Sequence, residues 1–176
     1  LKDLIDIKNK ITTAGSKILE NNKAINNSKI TQDFLDNQSI ILGKTNLVEF
    51  AFGTLGINSN TNTCRNPWDT KRVPGGSSSG SAVAVSAGLA TFAIGTDTGG
   101  SIRMPASLCG ITGFKPSYGI VSRRGVMDLS WSMDHVGPMA RSAKDCLNIM
   151  MVIGGYDPRD KYSIKLEDNH FNEEAI

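Results

Sequence analysis

Two short loops rich in glycine and hydroxyl side chains, joined by a run of small apolar residues, concentrate the reactive groups of this sequence into residues 75–113. The first loop holds Gly75, Gly76, Ser77, Ser78, Ser79 and Gly80; the second holds Thr96, Asp97, Thr98, Gly99, Gly100 and Ser101. Serine hydroxyls and backbone amides meeting at one point suit nucleophilic attack on a carbonyl, with a hydroxyl as nucleophile and amide N–H groups holding the oxyanion. Two shorter patterns fit less well. Gly75-x-x-x-x-Gly80 has the outline of a phosphate loop, but Ser81 stands where a lysine would have to reach the phosphates. Gly76-Ser77-Ser78-Ser79-Gly80 has the letters of a nucleophile elbow with Ser78 as nucleophile, yet an elbow follows an apolar strand, and Thr70-Lys71-Arg72-Val73-Pro74 is polar and ends in proline.

A serine nucleophile needs a base. His135, between Asp134 and Val136-Gly137-Pro138, reads as part of a structural turn, and His170 sits in a charged tail. No pair of carboxylates lies near either loop, so a serine–lysine arrangement is the economical choice. Spacing alone does not say which lysine: Lys2, Lys44, Lys71 and Lys115 all remain open.

The elements that must hold these loops follow an α/β pattern. Residues 12–19 read as a short helix or loop entry, 21–29 as a solvated connection, and 31–37 as a brief helix capped by Thr31. Ser39-Ile40-Ile41-Leu42-Gly43 has the form of a buried parallel strand, followed by a helix with Asn46 as cap and Glu49 completing a capping box. Residues 58–71 are a long loop. The Ala, Val, Ser and Gly of residues 80–91 suit a buried helix whose small side chains allow close backbone approach, and Phe92-Ala93-Ile94-Gly95 reads as the strand that feeds the second loop. Residues 142–153 form the clearest amphipathic helix, capped by Ser142, with Cys146, Ile149, Met150 and Ile153 on one face and Gly154-Gly155 ending it. Residues 157–176 are charged and aperiodic.

Composition is ordinary for a globular domain: 176 residues, 39% hydrophobic and 20% charged. A net charge of +2 with no basic, aromatic-studded block gives little support to nucleic-acid binding. Cys64, Cys109 and Cys146 form no C-x-x-C pair, which argues against a zinc knuckle or disulfide framework and for a reducing cytoplasm. The most apolar stretch, residues 82–94, falls short of the roughly 18 residues a membrane span needs. The chain opens at Leu1 rather than methionine, and Leu1-Lys2-Asp3-Leu4-Ile5 reads as ordered structure, so a piece of a longer protein is expected.

Beyond these separate signals, Gly75-Gly76-Ser77-Ser78-Ser79-Gly80-Ser81, then Gly95-Thr96-Asp97-Thr98-Gly99-Gly100-Ser101-Ile102-Arg103, then Pro105-Ala106-Ser107-x-Cys109-Gly110 resemble the amidase signature family. Leu42-Gly43-Lys44-Thr45-Asn46, Glu49-Phe50-Ala51, Asn66-Pro67-Trp68-Asp69 and Gly113-x-Lys115-Pro116-Ser117-Tyr118-Gly119 are similar to further segments of that family, so the match runs from Lys2 to about Pro158. The resemblance implies an α/β fold with a mixed sheet flanked by helices, incomplete in this chain. Residues 1–156 would be the N-terminal part of the catalytic domain and 157–176 a charged connecting segment. It implies a Ser-cisSer-Lys triad: Ser101 as nucleophile, Ser77 as bridging serine after a cis Gly76–Ser77 bond, and Lys2, next to Asp3, as base. It further implies an oxyanion hole from the amides of Thr98, Gly99, Gly100 and Ser101, an acyl pocket lined by Phe52 and Gly53, and loop support from Ser78, Ser79, Asp97 and Arg103. Neither metal nor cofactor is implied.

The activity so implied is hydrolysis of a carboxamide C–N bond through a serine acyl-enzyme, releasing ammonia or an amine from a small-molecule substrate. The alternative within the family is the glutamine-hydrolysing A subunit of the tRNA-dependent amidotransferase, which would bring partner subunits in place of a homo-oligomer. Trp131-Ser132-Met133-Asp134-His135-Val136-Gly137-Pro138 and Gly53-Thr54-Leu55-Gly56-Ile57-Asn58 depart from the segments expected of the transamidase and favour the general hydrolase. A different class, a non-catalytic domain holding an anion on its glycine loops, accounts less well for Ser77, Ser101 and Lys2 together.

Overall fold

The small residues that crowd the middle of the chain decide how its layers pack. In the computed structural model, which describes residues 1–166 and 171, a sheet of order β1-β3-β2 is built from β1 (Phe92–Asp97), β2 (Thr112–Gly113) and β3 (His135–Ala140), all pairs antiparallel. β1 and β3 are buried along nearly their whole length, so both faces of the sheet must be covered. Helices α1 (Lys29–Asp36) and α4 (Ala143–Ile153) enclose one core with Ile5, Ile30, Phe34, Leu47, Ile94, Val136 and Met150. A second core of Ala82, Ile102, Ala106, Cys109 and Met139 lies under α2 (Ser79–Ser86) and α3 (Arg103–Cys109). Burying each large apolar side chain here contributes about 1.5–3 kcal/mol. The chain start joins the sheet beside β1: Lys2 N–H donates to Ile94 O at 3.1 Å, and Lys2 forms a parallel bridge with Thr45. The architecture combines helices and strands as the sequence leads one to expect, but the sheet is antiparallel rather than mixed, the one parallel pairing among the described residues being the isolated Lys2–Thr45 bridge. Among the described residues no helix is long and apolar enough to cross a membrane.

Helix α2 shows why small residues matter. A Cβ on Gly80 would lie 2.5 Å from Asn46 N, so the helix backbone sits directly on that segment, and Gly80 N–H donates to Asn46 O at 3.0 Å. The helix stops at Ser86, earlier than the apolar run suggests. Gly88 takes φ +70°, and Gly88 N–H and Leu89 N–H reach back to Val85 O and Ala84 O, a glycine-dependent helix ending. Helix α4 matches expectation, with the Ser142 hydroxyl accepting from Asp145 N–H.

Other local expectations need correction. Residues 39–43 are not a buried strand: Ile40 is 86% and Leu42 76% exposed, and the contacts from the chain start reach only Gly43 O and Thr45, too few rungs to make a ladder. Asn46 does not open a capping box. Its Oδ1 accepts from Leu47 N–H and the Thr61 hydroxyl, and the next element is a single 3-10 turn, Glu49–Ala51, entered from Val48 with no side-chain cap. Phe50 (φ 49°) and Ala51 (φ 59°) are left-handed in that turn, a conformation non-glycine residues seldom adopt. α1 is capped by Ser28, whose hydroxyl accepts from Thr31 N–H, while the Thr31 hydroxyl donates to Asp6 O. The early turn is a 3-10 element, Lys17–Leu19, capped by Ser16. His135 begins β3 rather than lying in a turn, because it pairs in register with Asp97.

After α4, Asp157 is buried and accepts from the Ser122 hydroxyl (2.9 Å) and Arg124 Nε (3.0 Å), and Ile164 N–H donates to Gly119 O. Burial opposes ionisation of Asp157, but Arg159 N–H, Ser122 and Arg124 outweigh it and hold its carboxyl at about 2. His170 lies outside the described residues.

Candidate active site

β1 delivers the second loop and the start of α2 delivers the first. They meet because Ser78 N–H donates to Ser101 O at 3.2 Å, and because the Ser78 hydroxyl both accepts from Thr96 N–H and donates to Thr96 O, each at 3.2 Å. The Gly76–Ser77 peptide is cis. Gly100 has φ +129°, and a Cβ there would press on Met104 Cε at 3.3 Å, so the turn into Ser101 is built for glycine.

Lys2 is fully buried, and its Nζ donates to Ser77 Oγ and Thr96 Oγ1, both at 2.7 Å. Burial brings its ammonium down from 10.5 to about 7, against the opposing charges of Asp97 and Asp134. A shift of that size corresponds to about 5 kcal/mol against the charged form. Among the lysines left open by the sequence, Lys44 is committed elsewhere, with Nζ 2.6 Å from Asp3 Oδ1 and 2.7 Å from Thr12 Oγ1. Lys115 reaches Pro116 O, and Lys71 is exposed.

The second loop is organised around Asp97. Its fully buried carboxylate accepts from Gly100 N–H (2.8 Å) and Ile102 N–H (3.1 Å), and pairs with Arg103 through Nε (3.0 Å) and Nη2 (2.9 Å). Burial alone would push the Asp97 carboxyl up; the Arg103 guanidinium and the amides of Ile102, Gly100 and Arg103 together hold it below its ordinary value. The Gly100 amide is thereby occupied, and Ser101 is half-buried at the loop's end. Ser79, buried, opens α2. Gly53 O borders the position of a Gly76 Cβ at 3.2 Å, which brings the residue 50–53 turn against the first loop, while Phe52 is 80% exposed.

Two neighbours of the site are not singled out by the sequence alone. Thr96 shares Lys2 with Ser77; its signal is a hydroxyl at the inward position of a strand, two residues after Ile94. Asp134 accepts from the Thr98 hydroxyl at 2.5 Å and is nearly buried. His135 Nδ1 faces Asp97 O and Met133 O, at 3.2 and 2.7 Å. Cys109 packs under α2, where burial, reinforced by Cys64, pushes its thiol up to about 11. Among the described residues no group of three or more His, Cys, Asp or Glu side chains is gathered as metal ligands.

A buried, easily neutralised lysine bonded to Ser77, whose chain neighbour Ser78 is tied by its N–H to Ser101 O at the end of a glycine-rich amide loop, suits proton transfer and the holding of a developing oxyanion. Comparison with known proteins points the same way. The Amidase family model matches residues 1–176. The A subunit of glutamyl-tRNA(Gln) amidotransferase from Caldanaerobacter subterraneus subsp. tengcongensis is 49% identical over 167 residues, which is 95% of this chain and 34% of that protein. Its counterpart of the same name from Legionella pneumophila is 51% identical over 164 residues, 93% of this chain and 34% of the relative. Among solved structures, the A subunit of glutamyl-tRNA(Gln) amidotransferase from Thermotoga maritima superposes with TM-score 0.94 at 42% identity, covering 98% of this chain and 38% of that one. The native peptide amidase of Stenotrophomonas maltophilia does so with TM-score 0.91 at 39% identity, covering 97% and 36%. The chain thus spans about a third of the length of these relatives.

Proposed function

We propose, on the premise that this chain belongs to the amidase family, that it carries the acyl-enzyme centre of a carboxamide hydrolase. The observation that carries this reading is the fully buried Lys2 with its Nζ 2.7 Å from Ser77 Oγ. Neutral Lys2 takes the Ser77 proton while Ser77 takes that of Ser101, and Ser101 Oγ attacks the amide carbon. The amides of Thr98, Gly99 and Ser101 hold the oxyanion; Gly100, whose N–H already donates to Asp97, shapes the loop instead. The proton returns to the leaving nitrogen as the C–N bond breaks, ammonia or an amine departs, and water then releases the acyl group from Ser101. Asp97, Arg103, Ser78 and Ser79 brace the two loops, and Phe52 with Gly53 borders the acyl side. The substrate is a small-molecule amide and the setting the cytoplasm.

The test is Ser101→Ala in the complete protein. It is expected to abolish both amide cleavage and labelling by a serine-directed fluorophosphonate; retained cleavage refutes the assignment.

A second reading, that the complete protein is the A subunit of a glutamyl-tRNA(Gln) amidotransferase working with partner subunits, is favoured by the 48–51% identity to proteins of that name. A carboxamide panel that includes glutamine separates the two. Cleavage confined to glutamine and raised by partner subunits supports the second reading, and broad cleavage by the protein alone supports the first.

A further inference from the structure

We propose that Asp134 is a positioning residue of this site, fixing the second loop through the Thr98 hydroxyl. The proposal rests on the acyl-enzyme reading above. Asp134 is 7% exposed and closes the turn before β3. Its Oδ2 accepts from Leu129 N–H (2.7 Å) and Ser130 N–H (2.9 Å), and its own N–H donates to Ser130 O (2.9 Å), so the turn and the side chain hold each other in place. The remaining oxygen, Oδ1, takes the Thr98 hydroxyl at 2.5 Å. The second loop is therefore gripped on two flanks by two carboxylates. Asp97 holds Gly100, Ile102 and Arg103 from within, and Asp134 holds Thr98, which leads the run of amides, from the turn before β3. Geometry of this kind decides rate, because small displacements of a stabilising donor cost large factors.

Asp134 has a second effect that a purely structural carboxylate would lack. With Asp97 it is one of two negative charges opposing the burial that lowers Lys2. The other groups around Lys2 are the neutral Ser77 and Thr96 hydroxyls, the Asp3–Lys44 pair, closed at 2.6 Å, and the Leu1 ammonium, which turns to Gly43 O. Neutralising Asp134 removes support for protonated Lys2, so the lysine loses its proton at lower pH and the nucleophile stays active further into acid.

The experiment measures the rate of Ser101 labelling by a fluorophosphonate against pH in the complete protein. Asp134→Asn is expected to lower the plateau rate about tenfold or more. Its acid limb should also move down by about half a pH unit or more, less than the roughly 1–3 units of a directly adjacent ion pair. Thr98→Val removes the hydroxyl and leaves the charge, so a comparable loss at the plateau with an unmoved acid limb is expected. An unmoved acid limb in folded Asp134→Asn overturns the proposal, as does wild-type labelling of Thr98→Val. Should Asp134→Asn fail to accumulate as folded protein, Thr98→Val decides alone: a lowered plateau supports the proposal and an unchanged one overturns it. Labelling that persists in Ser101→Ala would mark failure of the acyl-enzyme reading itself.

Discussion

Replacing Lys2 with methionine is expected to change the pH dependence of stability in one direction only. A lysine near 10.5 in the unfolded chain and about 7 in the fold binds a proton more weakly when folded, so between those values the unfolded chain holds more protons and folding strengthens as pH rises. Below pH 7 both states carry the charge and the fold bears its full burial cost; above 10.5 neither does. With those two values, stability due to this group rises by about 3 kcal/mol from pH 6 to pH 9, out of about 5 kcal/mol for the whole shift. Methionine fills similar volume and does not titrate, though it gives up the bonds to Ser77 and Thr96, a loss that does not vary with pH. Urea unfolding of wild type and Lys2→Met in the complete protein, at pH values from 6 to 9, gives the comparison. The stability difference, wild type minus variant, is expected to climb by about 3 kcal/mol across that range, and the acid limb of wild-type activity should share its midpoint near 7. A difference that stays flat with pH would refute the view that Lys2 is folded in its easily neutralised form.

Asp97→Asn removes the partner of Arg103, and because Arg103 is half exposed the cost is expected at about 2 kcal/mol rather than that of a buried pair; urea unfolding measures it. The same carboxyl, held below its ordinary value, contributes stability that is present above about pH 4 and lost as pH falls through its folded value, so the wild-type advantage over Asp97→Asn should shrink in acid. Gly80→Ala places a methyl 2.5 Å from backbone that cannot yield cheaply, and a loss of roughly 1–3 kcal/mol or more with a lowered Tm is expected by calorimetry.

Where residue chemistry is local, the sequence discloses it. The paired loops, the Ser142 cap and the helix of small residues on Asn46 all follow from side-chain size and hydrogen-bonding capacity within a few positions. Lys2 is legible only through the family resemblance, because its role depends on burial beside β1, a contact with Ser77 across 75 positions. Asp134 escapes for the same reason: its partner Thr98 is 36 residues away, and an acid before a strand looks like any turn residue. Residues 39–43 mislead in the opposite sense, since β-branched side chains give strand propensity but a ladder requires a neighbour, which propensity does not report. Thr31, the expected cap, lies inside α1 on its buried face between Ile30 and Phe34, and only the fold shows that its hydroxyl donates to Asp6 O while Ser28 caps the helix.

The Ser78 hydroxyl, bonded to both the N–H and the C=O of Thr96, does for the end of β1 what a neighbouring strand would otherwise do. One oxygen atom substitutes for a rung, and together with the Ser78 N–H bond to Ser101 O it sets the spacing between the two loops. Alanine leaves both Thr96 groups without that partner, and threonine adds a methyl where a Gly95 Cβ would already lie 2.8 Å from Ser78 Oγ. Ser78 thus meets the second loop at two points, its hydroxyl on Thr96 and its N–H on Ser101 O, so a shift of this one residue is felt at both loops at once.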